Sequence, residues 1–120
     1  MPTFNQLSDY YAKYIRNKLV ESIFEMINYS TKSKDRQIKL AIVLMATLKE
    51  INKNLNQYNL SDVEKNNIIN KISNNLGLAN TNLLFMFKEA SNNNFPEFAN
   101  YLNNFFEELE LSRFFDNWTF

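Results

Sequence analysis

The sequence predicts an all-α fold, a compact bundle of about five helices formed by residues 1–120 as a single domain, and three observations lead there. Helix breakers are nearly absent: the 120 residues include one glycine and two prolines, Pro2 and Pro96, so most of the chain runs without a residue that stops a helix. Apolar residues recur at three- and four-residue spacing rather than in alternation, which is the period of a helix with one buried face. Hydrophobic residues make up 45% of the chain and charged ones 22%, a balance that supports a packed core and sets the chain apart from disordered sequences. At this length a domain buries roughly two thirds of the surface its unfolded chain exposes, so folding requires neither a disulfide nor a structural metal.

The first helix starts after Thr3, because Thr3 and Gln6 have the spacing of a capping box and Pro2 stands just outside it. Leu7, Tyr11, Ile15, Leu19, Ile23 and Ile27 follow an i, i+4 rhythm to about Asn28, with Tyr14, Val20, Phe24 and Met26 widening the stripe. The polar stretch "NYSTKSKD" breaks the pattern. Ser33 then caps a second helix whose first turn holds Asp35, where a negative charge meets the positive end of the helix dipole. This second helix carries Ile38, Ala41, Ile42, Met45 and Leu48 on one side and Leu40, Leu44, Ile51 and Leu55 beside them. A helix apolar around most of its circumference is either the centre of one bundle or the seam between two copies. The third helix begins in "LSDVEKNN", where Ser61 and Glu64 satisfy each other's orphan amides, buries Ile68, Ile69, Ile72 and Leu76, and ends at Gly77. The fourth spans about Asn80 to Ala90, and its run of Leu83, Leu84, Phe85, Met86 and Phe87 reads as a mostly buried layer. The fifth opens at "NFPE", with Asn94 as cap, Pro96 in the first turn and Glu97 completing a box, and sets Phe98, Leu102, Phe105, Phe106 and Leu109 on one side. After Leu109 the next aromatic pair comes five residues later, so the tail beyond Ser112 reads as a separate short helix or turn.

The one local pattern with a functional reading surrounds the single glycine, in "INKISNNLGLANTNLLFMFKEA". Ser73 stands where two helices would cross, Leu76, Gly77 and Leu78 form the turn, Leu83 and Met86 anchor the next helix from below, and Ile72 precedes them. Over about twenty residues this resembles the generic bacterial and phage helix-turn-helix motif, within residues 61–90. That resemblance implies a second helix facing the major groove, with Ala79, Asn80, Thr81, Leu84, Phe85 and Lys88 outward. Asn80 and Thr81 offer hydrogen-bonding groups to a base or phosphate, whereas Leu84 and Phe85 offer none. Between Leu60 and Ala90 three basic residues balance three acidic ones, so no local positive field accompanies the motif.

Catalysis finds little to work with. The chain has no histidine and no cysteine, which removes the commonest neutral-pH base, the thiolate nucleophile and the usual transition-metal ligands. One glycine cannot build a phosphate loop. Glu107 and Glu110 share a helical face, but a single carboxylate pair supplies too few ligands for a tight cation site. The reading is therefore a non-enzyme without cofactor or metal. The longest apolar run, "LAIVLMATL" from Leu40 to Leu48, is less than half of what a bilayer crossing needs, and no secretory pattern opens the chain, so a cytoplasmic location is expected. Twenty-one asparagines, with Phe, Tyr, Met, Ile and Lys, point to a source of low G+C content such as a microbe, virus or mobile element.

Net charge is zero, yet residues 1–71 carry eleven basic and seven acidic side chains, a balance of +4, and residues 72–120 carry two and six, a balance of −4. The expected function is a small protein–protein interaction module, binding a partner protein or its own copy. The candidate partner-binding residues are Phe114, Phe115, Trp118 and Phe120, because buried interface centres favour aromatic rings. The same four rings also suit a lid folded back over the bundle. The alternative is a nucleic-acid-binding regulator using Lys32, Lys34, Arg36 and Lys39 at the entry to the second helix, together with Asn80, Thr81 and Lys88.

Overall fold

Two long helices and three short ones make up nearly all of the described residues. The structure, a computed structural model, describes residues 2–29, 33–78 and 82–108. Helix α1 covers Phe4–Tyr29, α2 Ser33–Leu55, α3 Asp62–Asn75, α4 Asn82–Ser91 and α5 Phe95–Glu108, with one 3₁₀ turn at Asn56–Tyr58 after α2. No strand occurs among the described residues. The fold is an all-α bundle of five helices.

Each start signal has a local cause. The Thr3 backbone amide donates to Gln6 Oε1 at 2.9 Å and the Gln6 amide donates to Thr3 Oγ1 at 3.1 Å, which closes the box at the head of α1. Ser61 and Glu64 do the same for α3, at 3.0 and 3.2 Å. At α5 the Glu97 amide approaches Asn94 Oδ1 at 3.5 Å. α2 begins with Ser33 as its first helical residue rather than as the residue before it, a shift of one position at an end where boundaries fray.

The helix ends reveal how a chain with one glycine turns corners. After α3, Gly77 sits at φ 80°, its amide donates to the Asn74 carbonyl at 3.0 Å, and the Leu78 amide donates to the Ser73 carbonyl at 3.0 Å. That is a Schellman motif, which needs a left-handed residue one step past the cap. After α4, Asn93 occupies the equivalent position at φ 55°, with its amide donating to Ala90 and the Asn94 amide to Glu89. Asn59, at φ 53°, follows the 3₁₀ turn. Asparagine tolerates this conformation better than other side-chain-bearing residues, so part of the asparagine surplus does structural work that composition did not reveal.

Packing follows helix length. α2 touches α1, α4 and α5, and its buried stripe of Leu40, Ala41, Leu44, Leu48, Ile51 and Leu55 meets Leu7, Tyr11, Ile15 and Leu19 of α1, Ile68 and Ile72 of α3, Leu83 and Phe87 of α4 and Phe98, Leu102, Phe105 and Phe106 of α5 in one core. α1 and α2 run antiparallel: the Tyr14 hydroxyl donates to Glu50 Oε2 at 3.2 Å. α3 lies along the first half of α1, held by bonds from Lys71 Nζ to Asn5 Oδ1 at 2.9 Å, from Asn75 Nδ2 to Asp9 Oδ1 at 2.8 Å and from Arg16 Nη2 to the Asn75 carbonyl at 2.9 Å. At about 1.5 Å per residue, the 14 residues of α3 span roughly 21 Å against roughly 39 Å for the 26 of α1. The far half of the α1–α2 hairpin therefore extends past α3.

The packing corrects several burial expectations. Val20 and Phe24 were expected to widen the α1 core stripe and are instead 51% and 66% exposed, because they lie on the far side of the helix from Ile15 and Leu19. Ile42 is 56% and Ile38 37% exposed, so α2 is apolar on two faces and only one is covered. Phe85, expected inside the α4 layer, is 38% exposed and stacks on Tyr101 of α5 with ring centroids 5.0 Å apart. Leu76 and Leu84 are half-buried.

Candidate functional site

The distal hairpin surface is built by register and phase. Pairing of Tyr14 with Glu50 in an antiparallel hairpin sets Val20 and Phe24 level with residues 44 to 40 of α2. The i, i+4 pair Val20 and Phe24 on α1 and the i, i+4 pair Ile38 and Ile42 on α2 thus occupy the same end of the molecule. Ile38, Ile42 and Val43, with Asp35 and Lys39 at the rim, line a shallow hollow of about 300 Å³. Glu21 and Glu25 flank the α1 pair and are exposed. Beneath the α2 pair, Gln37, Leu40 and Ala41 are buried.

A second concavity lies between α3 and α4. Asp62, Lys65, Asn66 and Ile69 form an i, i+3, i+4, i+7 stripe on α3, and Leu84, Phe87, Lys88 and Ser91 form the matching stripe on α4. Between them runs a groove of about 470 Å³ whose floor includes the buried Ile69 and Phe87. Lys65 Nζ donates to Asn56 Oδ1 at 2.8 Å. Burial pushes the Lys65 ammonium below its usual value, and the nearby Asp62 carboxylate pulls it partly back. The groove combines amides, two ammonium groups and one carboxylate with an apolar floor. It suits binding, since no side chain in it forms a nucleophile-and-base pair.

Elsewhere, the buried Tyr11 and the half-buried Tyr14 pack where the start of α1 meets the end of α2. The Tyr11 phenol is raised above its usual value by burial and by the neighbouring Tyr58, against a hydrogen bond with Asn54. Tyr14 is raised by burial and by Glu50. Among the described residues no three acidic side chains gather closely enough to hold a metal ion, and no helix is long and apolar enough to cross a membrane.

The sequence-predicted site residues fall in different places. Phe114, Phe115, Trp118 and Phe120 lie outside the described residues, as do Lys32, Asn80, Thr81, Leu109 and Glu110. Lys34 is in the first turn of α2, its side chain outside the description. Arg36 and Lys39 are half-buried and engaged within the chain. Lys88 is exposed on the groove wall together with Asn52. From Lys39 to Asn52 is about 20 Å along the axis of α2, so the fold does not bring the entry cluster and Lys88 into one patch. Of the helix-turn-helix positions, Ser73, Leu78, Leu83 and Met86 are buried. Sequence reading missed Val20, Phe24, Ile38 and Ile42 as surface residues. The available signal was helical phase, since Val20 and Phe24 fall on the opposite side of the helix from Ile15. No family model, curated protein or solved structure matches this chain significantly.

Proposed function

We propose that the chain is a protein-binding module whose contact surface includes the distal end of the α1–α2 hairpin. The observation that carries this reading is the pair of exposed apolar doublets, Val20 with Phe24 and Ile38 with Ile42, at one end of the molecule. Singly exposed apolar residues are ordinary; two doublets at helical spacing on adjacent helices are what a partner helix or a second subunit covers. Phe114, Phe115, Trp118 and Phe120 are proposed as further contact residues, on their chemistry alone.

The test is association of the full chain with proteins of its source cells, compared with Phe24→Ser, Ile42→Asp and a chain ended after Leu111. Loss of a specific association in the substituted chains supports the hairpin surface, and loss in the shortened chain supports the terminal rings. Unchanged association in all three, each still folded, removes both.

A nucleic-acid-binding regulator is the second reading. It draws on the buried helix-turn-helix anchors Ser73, Leu78, Leu83 and Met86 and on the exposed Lys88. Against it stand the ring of Phe85 stacked on Tyr101 on that side of α4 and the distance between the basic groups. This reading predicts duplex binding that weakens steeply with salt and with Lys88→Gln; absence of binding at low salt to single- and double-stranded DNA eliminates it.

A further inference from the structure

We infer that the groove between α3 and α4 is a small-molecule site, taking an apolar molecule that carries a single carboxylate, of the kind of a medium-chain fatty acid. The site is separate from the distal hairpin and goes beyond the protein-binding reading. Three observations carry it.

The first is a set of unspent donors. Lys65, half-buried on the α3 wall, gives one hydrogen bond from Nζ, to the neutral Asn56 Oδ1 at 2.8 Å, and its remaining N–H groups are left over. Asp62, one turn earlier on α3, acts on it as a neighbouring charge. Lys88 is exposed on the α4 wall and makes no hydrogen bond or ion pair with the described residues. A partly buried ammonium whose bonded partner is neutral gains from an anion that enters beside it, because desolvation penalises a charge left alone.

The second is the balance of charge. Two ammonium groups and one carboxylate line the groove, a net charge of +1. A single carboxylate neutralises that charge, whereas a phosphate monoester, which carries close to two negative charges at about pH 7 and above, overshoots it beside Asp62.

The third is shape. Between the charged groups the surface is apolar, with Ile69 and Phe87 buried in its floor and Leu84 half-buried. The volume, about 470 Å³, falls in the range of small-molecule sites. A hydrogen bond from Asn52 Nδ2 to Ser91 Oγ, both in the lining, fixes α4 against α2 and so holds the wall that carries Lys88. An apolar chain lies on this floor while its head meets the ammonium groups.

Proton–nitrogen NMR of the full chain, titrated with octanoate to about 20 mM, reads the outcome; an affinity of about 1 mM is what a molecule of this size reaches in an open groove. The expected result is a saturable shift of the backbone amide resonances of Ile69, Leu84 and Phe87. Lys65→Gln raises the Kd about tenfold, and Lys88→Gln about threefold, its exposed ammonium being screened by solvent. Lys53→Gln removes the same charge from an exposed position of α2 outside the groove and leaves the Kd unchanged. Acetate, a head without the body, gives no such shift, and octylammonium, the same body with the opposite charge, binds at least about tenfold more weakly. Octyl phosphate binds no more tightly than octanoate. Absence of the octanoate shift, a Kd indifferent to Lys65 and Lys88 or equally sensitive to Lys53, or octylammonium binding as well as octanoate overturns the inference. Tighter binding of octyl phosphate overturns the singly charged head.

Discussion

Replacing Gly77 by alanine isolates the energetic value of one backbone conformation. Gly77 holds φ 80° in the Schellman turn between α3 and the following segment, and a Cβ added there meets no heavy atom within 4 Å. The cost is therefore conformational and not steric, about 1–2 kcal/mol for a residue with a Cβ in the left-handed region. With an unfolding entropy of about 2.1 cal/mol/K per residue over the 120 residues, each kcal/mol corresponds to about 4 °C, so Gly77→Ala lowers Tm by about 4–8 °C. Gly77→Asn costs less than half of that, because the chain itself places Asn59 and Asn93 at φ 53° and 55°. Thermal unfolding followed by circular dichroism at matched concentration measures both. A Gly77→Ala chain within 1 °C of the parent, or an asparagine as damaging as alanine, refutes the argument.

Ser61→Ala removes one half of the α3 capping box and lowers stability by about 1 kcal/mol in urea unfolding, with Ser61→Gly costing only a few tenths. Phe106→Ala, at a site with no exposed surface, costs about 3–5 kcal/mol; a loss below about 1 kcal/mol contradicts the placement of that ring at the core. Tyr11, raised above 10.0 by burial, ionises late: its contribution to stability is complete below the unfolded value of about 10 and fades as pH rises through the higher folded value. Phenolate absorbance in the parent and in Tyr11→Phe checks this, and a Tyr11 titration at the ordinary value counts against it.

What the sequence disclosed and what it withheld divide along the range of the interactions. The boxes Thr3 with Gln6 and Ser61 with Glu64, and the glycine after α3, join residues three or fewer positions apart, and each is found where the spacing put it. The inward stripe Phe98, Leu102, Phe105 and Phe106 is likewise local in origin and buried. The outward positions were not legible. Val20 and Ile42 have the same character as their buried neighbours Leu19 and Ala41, and the turn of the helix from one residue to the next carries each to a side that no other helix covers. Asn93 gave no warning either, since the same residue type caps helices, ends them and lies on their surfaces. The Lys32 to Lys39 cluster and Lys88 were grouped by charge; their separation along α2 is a property of the assembled bundle.

The central claim is that the distal hairpin is a protein contact surface, and site-specific photo-crosslinking tests it most directly. A photoreactive residue placed at position 24 or 42 is predicted to yield a discrete protein adduct, while one at position 63, where Val63 is 70% exposed on α3, yields none. Equal crosslinking from all three positions, or no protein adduct from 24 and 42 in the folded chain, contradicts it.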